Sequence, residues 1–191
     1  MFLDSIFGKR RYRAPAAALY HVLVGQARLP WFYLDLGVPD TPEGRFEMVS
    51  VHAFLVLNRL KPPPGGAQGE ADELGQEIFD LMFADMDRNL REMGTGDLGV
   101  AKRVKSLASG FYGRIAAYQE GLNGEAGLLQ SALVRNVYGG VAPDGAADAM
   151  AAYLKSSAGC LKELTFDEIL DGRLCFGPVP VRSVAHAGSD S

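Results

Sequence analysis

The sequence predicts an all-α protein: a single-domain bundle of about six to seven helices with an irregular aromatic segment and an extended C-terminal tail. Three observations carry that prediction. Apolar residues recur with a helical period through most of the chain. Proline and glycine gather between the periodic stretches, where they punctuate rather than interrupt. The length, 191 residues, suits one domain, and 48% hydrophobic with 22% charged residues is an ordinary globular balance that argues against extensive disorder.

The first helix is expected at residues 15–28, with Pro15 in a first turn, where its missing N–H costs nothing, and Pro30 just beyond the end. The stretch from Trp31 to Asp40 is aromatic and broken by Gly37 and Pro39, which predicts an irregular connection packed on the core. Within it Trp31, Phe32 and Tyr33 read better as core anchors than as a recognition platform, with Asp40 at the far end. A helix at 43–60 is stopped by Lys61-Pro62-Pro63-Pro64-Gly65-Gly66, an exposed loop.

Residues 70–93 form the most informative helix. At 100° per residue, Leu74, Ile78, Leu81, Met82, Met86 and Leu90 share an arc, which Phe79 and Phe83 widen to about 200°. So broad a stripe predicts either several neighbours or an apolar edge left for a partner. In the helix expected at 98–122, Val100, Val104, Leu107, Phe111, Ile115, Tyr118 and Leu122 form one face. Ser106, Ser109, Gly110 and Gly113 lie near the opposite side, a small-residue surface that would permit close approach by another helix. Further helices are expected at 125–138 and at 144–164, the latter with Asp144 as N-cap. Thr165 and Glu168 form a capping-box pattern opening one short turn. The domain plan is a basic, apolar tail at 1–14, a helical domain at 15–180 and a disordered tail at 181–191.

Charge is polarised. The net charge is −4, which disfavours DNA as a partner. Residues 70–97 carry nine acids and two arginines, whereas 98–119 hold Lys102, Arg103, Lys105, Arg114 and no acid, so an antiparallel pair would neutralise itself. At the N-terminus, Phe2, Leu3, Ile6 and Phe7 precede Lys9, Arg10, Arg11 and Arg13. Such a segment either dips into a bilayer interface while its cations meet anionic headgroups, or is a disordered tail. It has neither the order nor the apolar length of a signal peptide, and no run is long enough to span a membrane. The expected location is cytoplasmic, with peripheral attachment to the inner membrane left open. The two cysteines, Cys160 and Cys175, form no Cys-x-x-Cys pair, so neither a disulfide framework nor a zinc site is expected, and a reducing compartment fits.

Catalytic and cofactor patterns fail on context. Gly94-Thr95-Gly96-Asp97-Leu98-Gly99 matches a dinucleotide fingerprint but comes after a helix instead of a strand, which makes it a helix stop and tight turn. Asp85-x-Asp87-x-Asn89 opens like a calcium loop, yet Leu90 and Gly96 occupy the positions that need Gly and Glu. Asp80 and Asp87 share a face but stand roughly 10 Å apart, too far for one magnesium ion without other ligands. Asp85 falls inside the apolar arc and needs an Arg or Lys partner, or else a binding role. His21, His52 and His186 are scattered and match no metal-ligand pattern. No cofactor, metal or enzymatic activity is expected.

The residues Phe32-Tyr33, Gly37-Val38-Pro39-Asp40-Thr41, Gly44-Arg45-Phe46, His52, Phe79-Asp80 and Asp85-Met86-Asp87 resemble the ubiquinol–cytochrome c chaperone family. So do Leu90-Arg91-Glu92, Gly94, Asp97, Lys102, Gly113-Arg114 and Tyr118, over roughly residues 15–175. The resemblance implies a helical, non-catalytic assembly factor for the cytochrome bc1 complex whose partner is cytochrome b or another bc1 subunit. Mitochondrial members act with a small partner near the ribosomal tunnel exit. Without a long presequence or spanning segment this chain is similar to the shorter bacterial type, for which a ribosome contact stays open. The client-binding residues expected are Phe79, Asp80, Met82, Phe83, Asp85, Met86 and Asp87, because unbranched Met among aromatics adapts to varied apolar partners. The competing expectation makes the apolar four simple core. Two other classes stay open: a helical enzyme acting on a prenyl lipid or quinone, and a generic membrane-peripheral adaptor.

Overall fold

A computed structural model describes residues 11–61, 69–92, 94 and 96–179. Among these it contains eight helices: α1 (Arg13–Ala27), α2 (Pro30–Leu34), α3 (Pro42–Leu60), α4 (Glu70–Glu92), α5 (Asp97–Asn123), α6 (Leu128–Asn136), α7 (Ala146–Glu163) and α8 (Phe166–Leu170). The all-α expectation holds, and two of the eight are single short turns.

The architecture is organised by α3. Every residue from Phe46 to Val56 is buried, because α3 is packed by α1, α4, α5 and α7 together. A helix enclosed on all sides must be apolar all round, and Met48, Val49, Val51, Ala53, Phe54, Leu55 and Val56 supply that. Its start is fixed by Thr41, whose hydroxyl accepts the Gly44 N–H at 3.1 Å, with Pro42 in the first turn. Around it, α1 buries Ala16, Leu19, Leu23 and Ala27 at three- and four-residue spacing, and α4 turns Leu74, Ile78 and Met82 inward. The α5–α6 junction is tight: a Cβ on Gly121 would stand 2.6 Å from Leu129 Cα. α6 then links α5 to α7, which returns to α3.

Several expectations need correction. Residues 30–34 are a short helix, α2, and the irregular backbone is confined to residues 35–41; burial of Phe32 at the centre of α2 leaves enough helical contacts to hold one turn. The N-cap of α7 is Gly145 in the left-handed region, at φ +72°, and not Asp144. The capping box is present, with Thr165 Oγ1 accepting the Glu168 N–H at 3.2 Å and Glu168 accepting the Thr165 N–H at 2.9 Å.

Close helix approach does not occur at Gly110 or Gly113. Gly113 faces open space, and Gly110 meets only its own helix's Arg114. No ion pair among the described residues joins α4 to α5: Asp85 and Asp87 pair with Arg88 and Arg91 within α4, Glu70 pairs with Arg11 ahead of α1, and Arg114 of α5 reaches Glu47 on α3. Finally, Cys160 and Cys175 are joined as a disulfide, with Cα atoms 5.6 Å apart. Spacing hid this pairing, because Cys160 lies on α7 and the chain must fold back through α8 to bring Cys175 beside it. Among the described residues no helix is long and apolar enough to cross a membrane.

Candidate functional site

Two regions stand out, one closed and one open. The closed region is an aromatic knot where α2, α3, α7 and the C-terminal segment meet. His52 is fully buried. Its Nδ1 donates to the Met48 carbonyl at 2.8 Å, which leaves Nε2 to accept from the Tyr153 hydroxyl at 2.7 Å; Gln26 in turn donates to that hydroxyl at 3.1 Å. Burial drives His52 down to about 4 and Tyr153 up to about 12, so the neutral forms hold the network together. Phe32, Tyr153 and Phe176 surround the imidazole at centroid distances of 5.4, 5.7 and 5.3 Å. Trp31 packs on Phe32 at 5.3 Å, and the Tyr33 hydroxyl donates to the Ala27 carbonyl at 2.8 Å. The three aromatics of the segment are therefore tied into the core by geometry, with Phe32 deepest.

Beside the knot, residues 37–46 form a corner. Gly37 has φ +64°, and a Cβ on Gly44 would overlap the Pro39 carbonyl oxygen at 1.9 Å. Asp40 is exposed and accepts from Arg45 Nε at 2.6 Å, which holds its carboxyl below the ordinary value. One turn further, Glu47 is buried against α5, where Arg114 donates to both its oxygens, through Nε at 2.6 Å. Burial pushes the Glu47 carboxyl up against the pull of Arg114, and the guanidinium is raised in return by Glu47. Arg114 also lies 5.6 Å over the Phe46 ring.

The open region is a groove between the end of α3 and the facing sides of α4 and α5. Two adjoining hollows of about 500 and 260 Å³ share Lys61, Tyr112, Ile115 and Gln119. The floor includes Leu57 and Gly75, and Phe79 forms the wall. Phe79 sits 4.6 Å from Phe83, 5.6 Å from Tyr112 and 5.9 Å from Phe111, so one aromatic ladder climbs from core to surface. Its outermost rung, Tyr112, is 60% exposed.

The expected client-binding residues divide. Met82 is 0% and Phe83 8% exposed, so both are core in this conformation. Phe79 and Met86 are half-buried, and Asp80 is exposed, accepting from Gln76 at 2.7 Å. Asp85 receives the Tyr20 hydroxyl at 3.0 Å and pairs with Arg88, which satisfies the carboxylate that helical periodicity places among apolar neighbours. Asp87 pairs with Arg91 at 2.6 Å, which keeps its carboxyl low. Asp80 and Asp87 thus do not share a partner.

Tyr112 and Leu57 belong to the groove, and no sequence pattern marks either as a site residue. The available signal was an aromatic lying just off the apolar face of α5. Of the N-terminal membrane-surface residues, Phe2, Leu3, Ile6, Phe7, Lys9 and Arg10 lie outside the described residues. Arg11 is exposed and pairs with Glu70 at 2.7 Å, and Arg13 is exposed. His21 is exposed and apart from buried His52. No group of three or more His, Cys, Asp or Glu side chains suited to a metal occurs among the described residues.

The chain has relatives of recorded role. The crystal structure of a Cbp3 homologue from Brucella abortus superposes with a TM-score of 0.77 at 38% identity, covering 93% of this chain and 97% of that one. A ubiquinol-cytochrome-c reductase complex assembly factor 1 from Xenopus laevis is 24% identical over 69% of this chain and 64% of its own length. Mitochondrial protein CBP3 of Saccharomyces cerevisiae is 26% identical over 80% of this chain and 46% of its own. The chain therefore spans less than two-thirds of these curated relatives. The profile described as ubiquinol-cytochrome C chaperone matches residues 34–176, from the end of α2 to the Phe176 that closes the knot. By that match this chain belongs to the ubiquinol–cytochrome c chaperone family.

Proposed function

We propose that this protein is a non-catalytic chaperone for assembly of the ubiquinol–cytochrome c reductase complex, and that its client is unassembled cytochrome b. Family membership supports the general role. The observation that carries the client reading is the Phe79–Tyr112 wall above Leu57 and Ile115, which no other element among the described residues covers. An exposed aromatic wall is a surface that an apolar segment of an unfinished membrane protein would cover. Phe79, Asp80 and Met86 would meet the client, with Asp80 and Asp87 at the rim where basic flanks of a membrane helix arrive. Met82 and Phe83 would support the wall from below. The cationic, apolar N-terminus would bring the chaperone to the anionic membrane surface where such a client emerges.

The test is a deletion strain complemented with either the wild-type chain or a Lys9, Arg10, Arg11 and Arg13→Gln variant. Cytochrome b and assembled bc1 complex should fall in the deletion and return with the wild type, while other respiratory complexes stay constant. The Gln variant should restore them only partly and should pellet less with anionic vesicles at low salt. Normal bc1 levels in the deletion would end the proposal. Full rescue with unchanged pelleting would remove only its membrane part.

A further inference from the structure

We propose that Cys160 and Cys175 form a reversible redox latch that holds the C-terminal strap, residues 173–179, over the aromatic knot. The strap is irregular, without helical hydrogen bonds to hold it, and lies on the core through half-buried Leu174, Phe176 and Val179. After Cys175, Phe176 sets its ring 5.3 Å from His52, and the Gly177 N–H donates to the Ser157 hydroxyl at 2.8 Å in a buried position. A Cβ on Gly177 would stand 2.9 Å from Ser156 Cβ and 3.1 Å from the Tyr153 carbonyl oxygen, so the strap lies flat against α7. The disulfide sits immediately before these two contacts and fixes the register that lets both form. Both cysteines are half-buried, which leaves the bond within reach of a reductant.

The chemistry balances with a dithiol reductant of the thioredoxin class. One thiolate of the dithiol bonds to a sulfur of the latch, the Cys160–Cys175 bond breaks, and the departing sulfur takes up a proton. The reductant's second thiol, as thiolate, then attacks its own first sulfur in the mixed disulfide and expels the remaining latch cysteine, which takes up a proton. Two electrons and two protons pass to the chain, giving two thiols here and a disulfide in the reductant. A disulfide-bearing oxidant of the same class reverses the step. Released, the strap keeps the Gly177–Ser157 hydrogen bond, the Phe176–His52 ring contact and the packing of Leu174 and Val179 on the core, with Arg173 held to Glu168 at its start. Removing a link that closes a loop of 15 residues lowers the cost of moving Phe176 off its seat on His52.

The full-length protein tests this without any client, so the outcome stands apart from the assembly role. Thiols are counted by alkylation and mass spectrometry after equilibration in dithiothreitol mixtures and with a thioredoxin-class protein. Hydrogen exchange at Gly177 is followed in parallel. Oxidised protein should carry no free thiol. Reduction should reveal two and speed Gly177 exchange by about tenfold or more while the exchange of α3 stays unchanged. Cys175→Ser and Cys160→Ser, each folded, should match the reduced wild type, and fluorescence of Trp31, the single tryptophan, should shift equally in all three. Two free thiols in the oxidised protein overturn the proposal. So does a disulfide that yields only on global unfolding, or an exchange rate at Gly177 that ignores the redox state.

Discussion

The aromatic knot and the α3–α4–α5 groove use the same materials to opposite ends. In the knot, rings converge on His52, and the polar atoms of His52 and Tyr153 have named partners, so nothing remains to offer a ligand. In the groove, the ladder from Phe111 through Phe79 to Tyr112 stops short of closure, and its last ring stays in water. What separates them is the number of covering elements. The knot is closed by α2, α7 and the C-terminal strap, whereas among the described residues the groove has only the end of α3 beneath it. An aromatic cluster is therefore a poor indicator of function by itself. The missing cover is the informative part.

A large loss of stability is expected when acid acts on the knot. His52 is held near 4 in the folded chain but titrates near 6.5 when unfolded. Between those values the unfolded chain binds the extra proton, so stability is fully present above pH 6.5 and is lost as pH falls toward 4. The contribution is on the order of 3 kcal/mol. Urea unfolding at pH 7, 5.5 and 4.5 should show the decline, and His52→Gln should flatten the part of the slope that carboxylates do not supply. Equal slopes in the two proteins would mean that the knot does not exclude protons.

Next in size is the Glu47–Arg114 pair. Arg114→Ala strands a carboxylate that has little water, at a cost of about 2–3 kcal/mol, reduced from full burial because a fifth of the Arg114 side chain meets solvent. Chemical denaturation measures it. Replacing both partners together, Glu47→Leu with Arg114→Met, should recover much of the loss, since two matched apolar groups need no partner. A double variant as weak as Arg114→Ala would show that the pair contributes more than relief of a stranded charge.

These residues also mark how far sequence reasoning reached. Periodicity located the long helices, because burial on one face leaves a record in spacing. The Gly37–Phe46 motif was visible as a string, and its reason is geometric: Gly44 passes the Pro39 carbonyl, and Thr41 caps α3. The partners of Glu47 and His52 were invisible, being 67 and 101 residues away. The charge argument for α4 against α5 failed for a related reason. Opposite totals say nothing about which faces meet, and Asp85 and Asp87 were satisfied within α4 by Arg88 and Arg91. The groove was half legible: the 200° arc of α4 predicted either several neighbours or an apolar edge left for a partner, and which of its residues stay outside depends on where α5 lies.

The smallest effect on stability is expected where the effect on client capture is largest. Phe111 and Tyr112 are neighbours in sequence and both touch Phe79, yet one is 0% and the other 60% exposed. Phe111→Ala removes a ring packed between α4 and α5 and should cost about 3–5 kcal/mol, read as a lower denaturation midpoint. Tyr112→Ser removes a ring already in water and should stay within about 0.5 kcal/mol of the wild type. Phe79→Ser should fall between them, since its ring is only partly exposed. Capture of cytochrome b from detergent extracts should run in the other order, with Tyr112→Ser losing the client while melting like the parent. That reversal is what a docking wall requires, because a client contributes the cover that folding left out. If Tyr112→Ser captures normally and capture fails only in variants that also lose their melt, the ladder is core throughout and the client binds elsewhere.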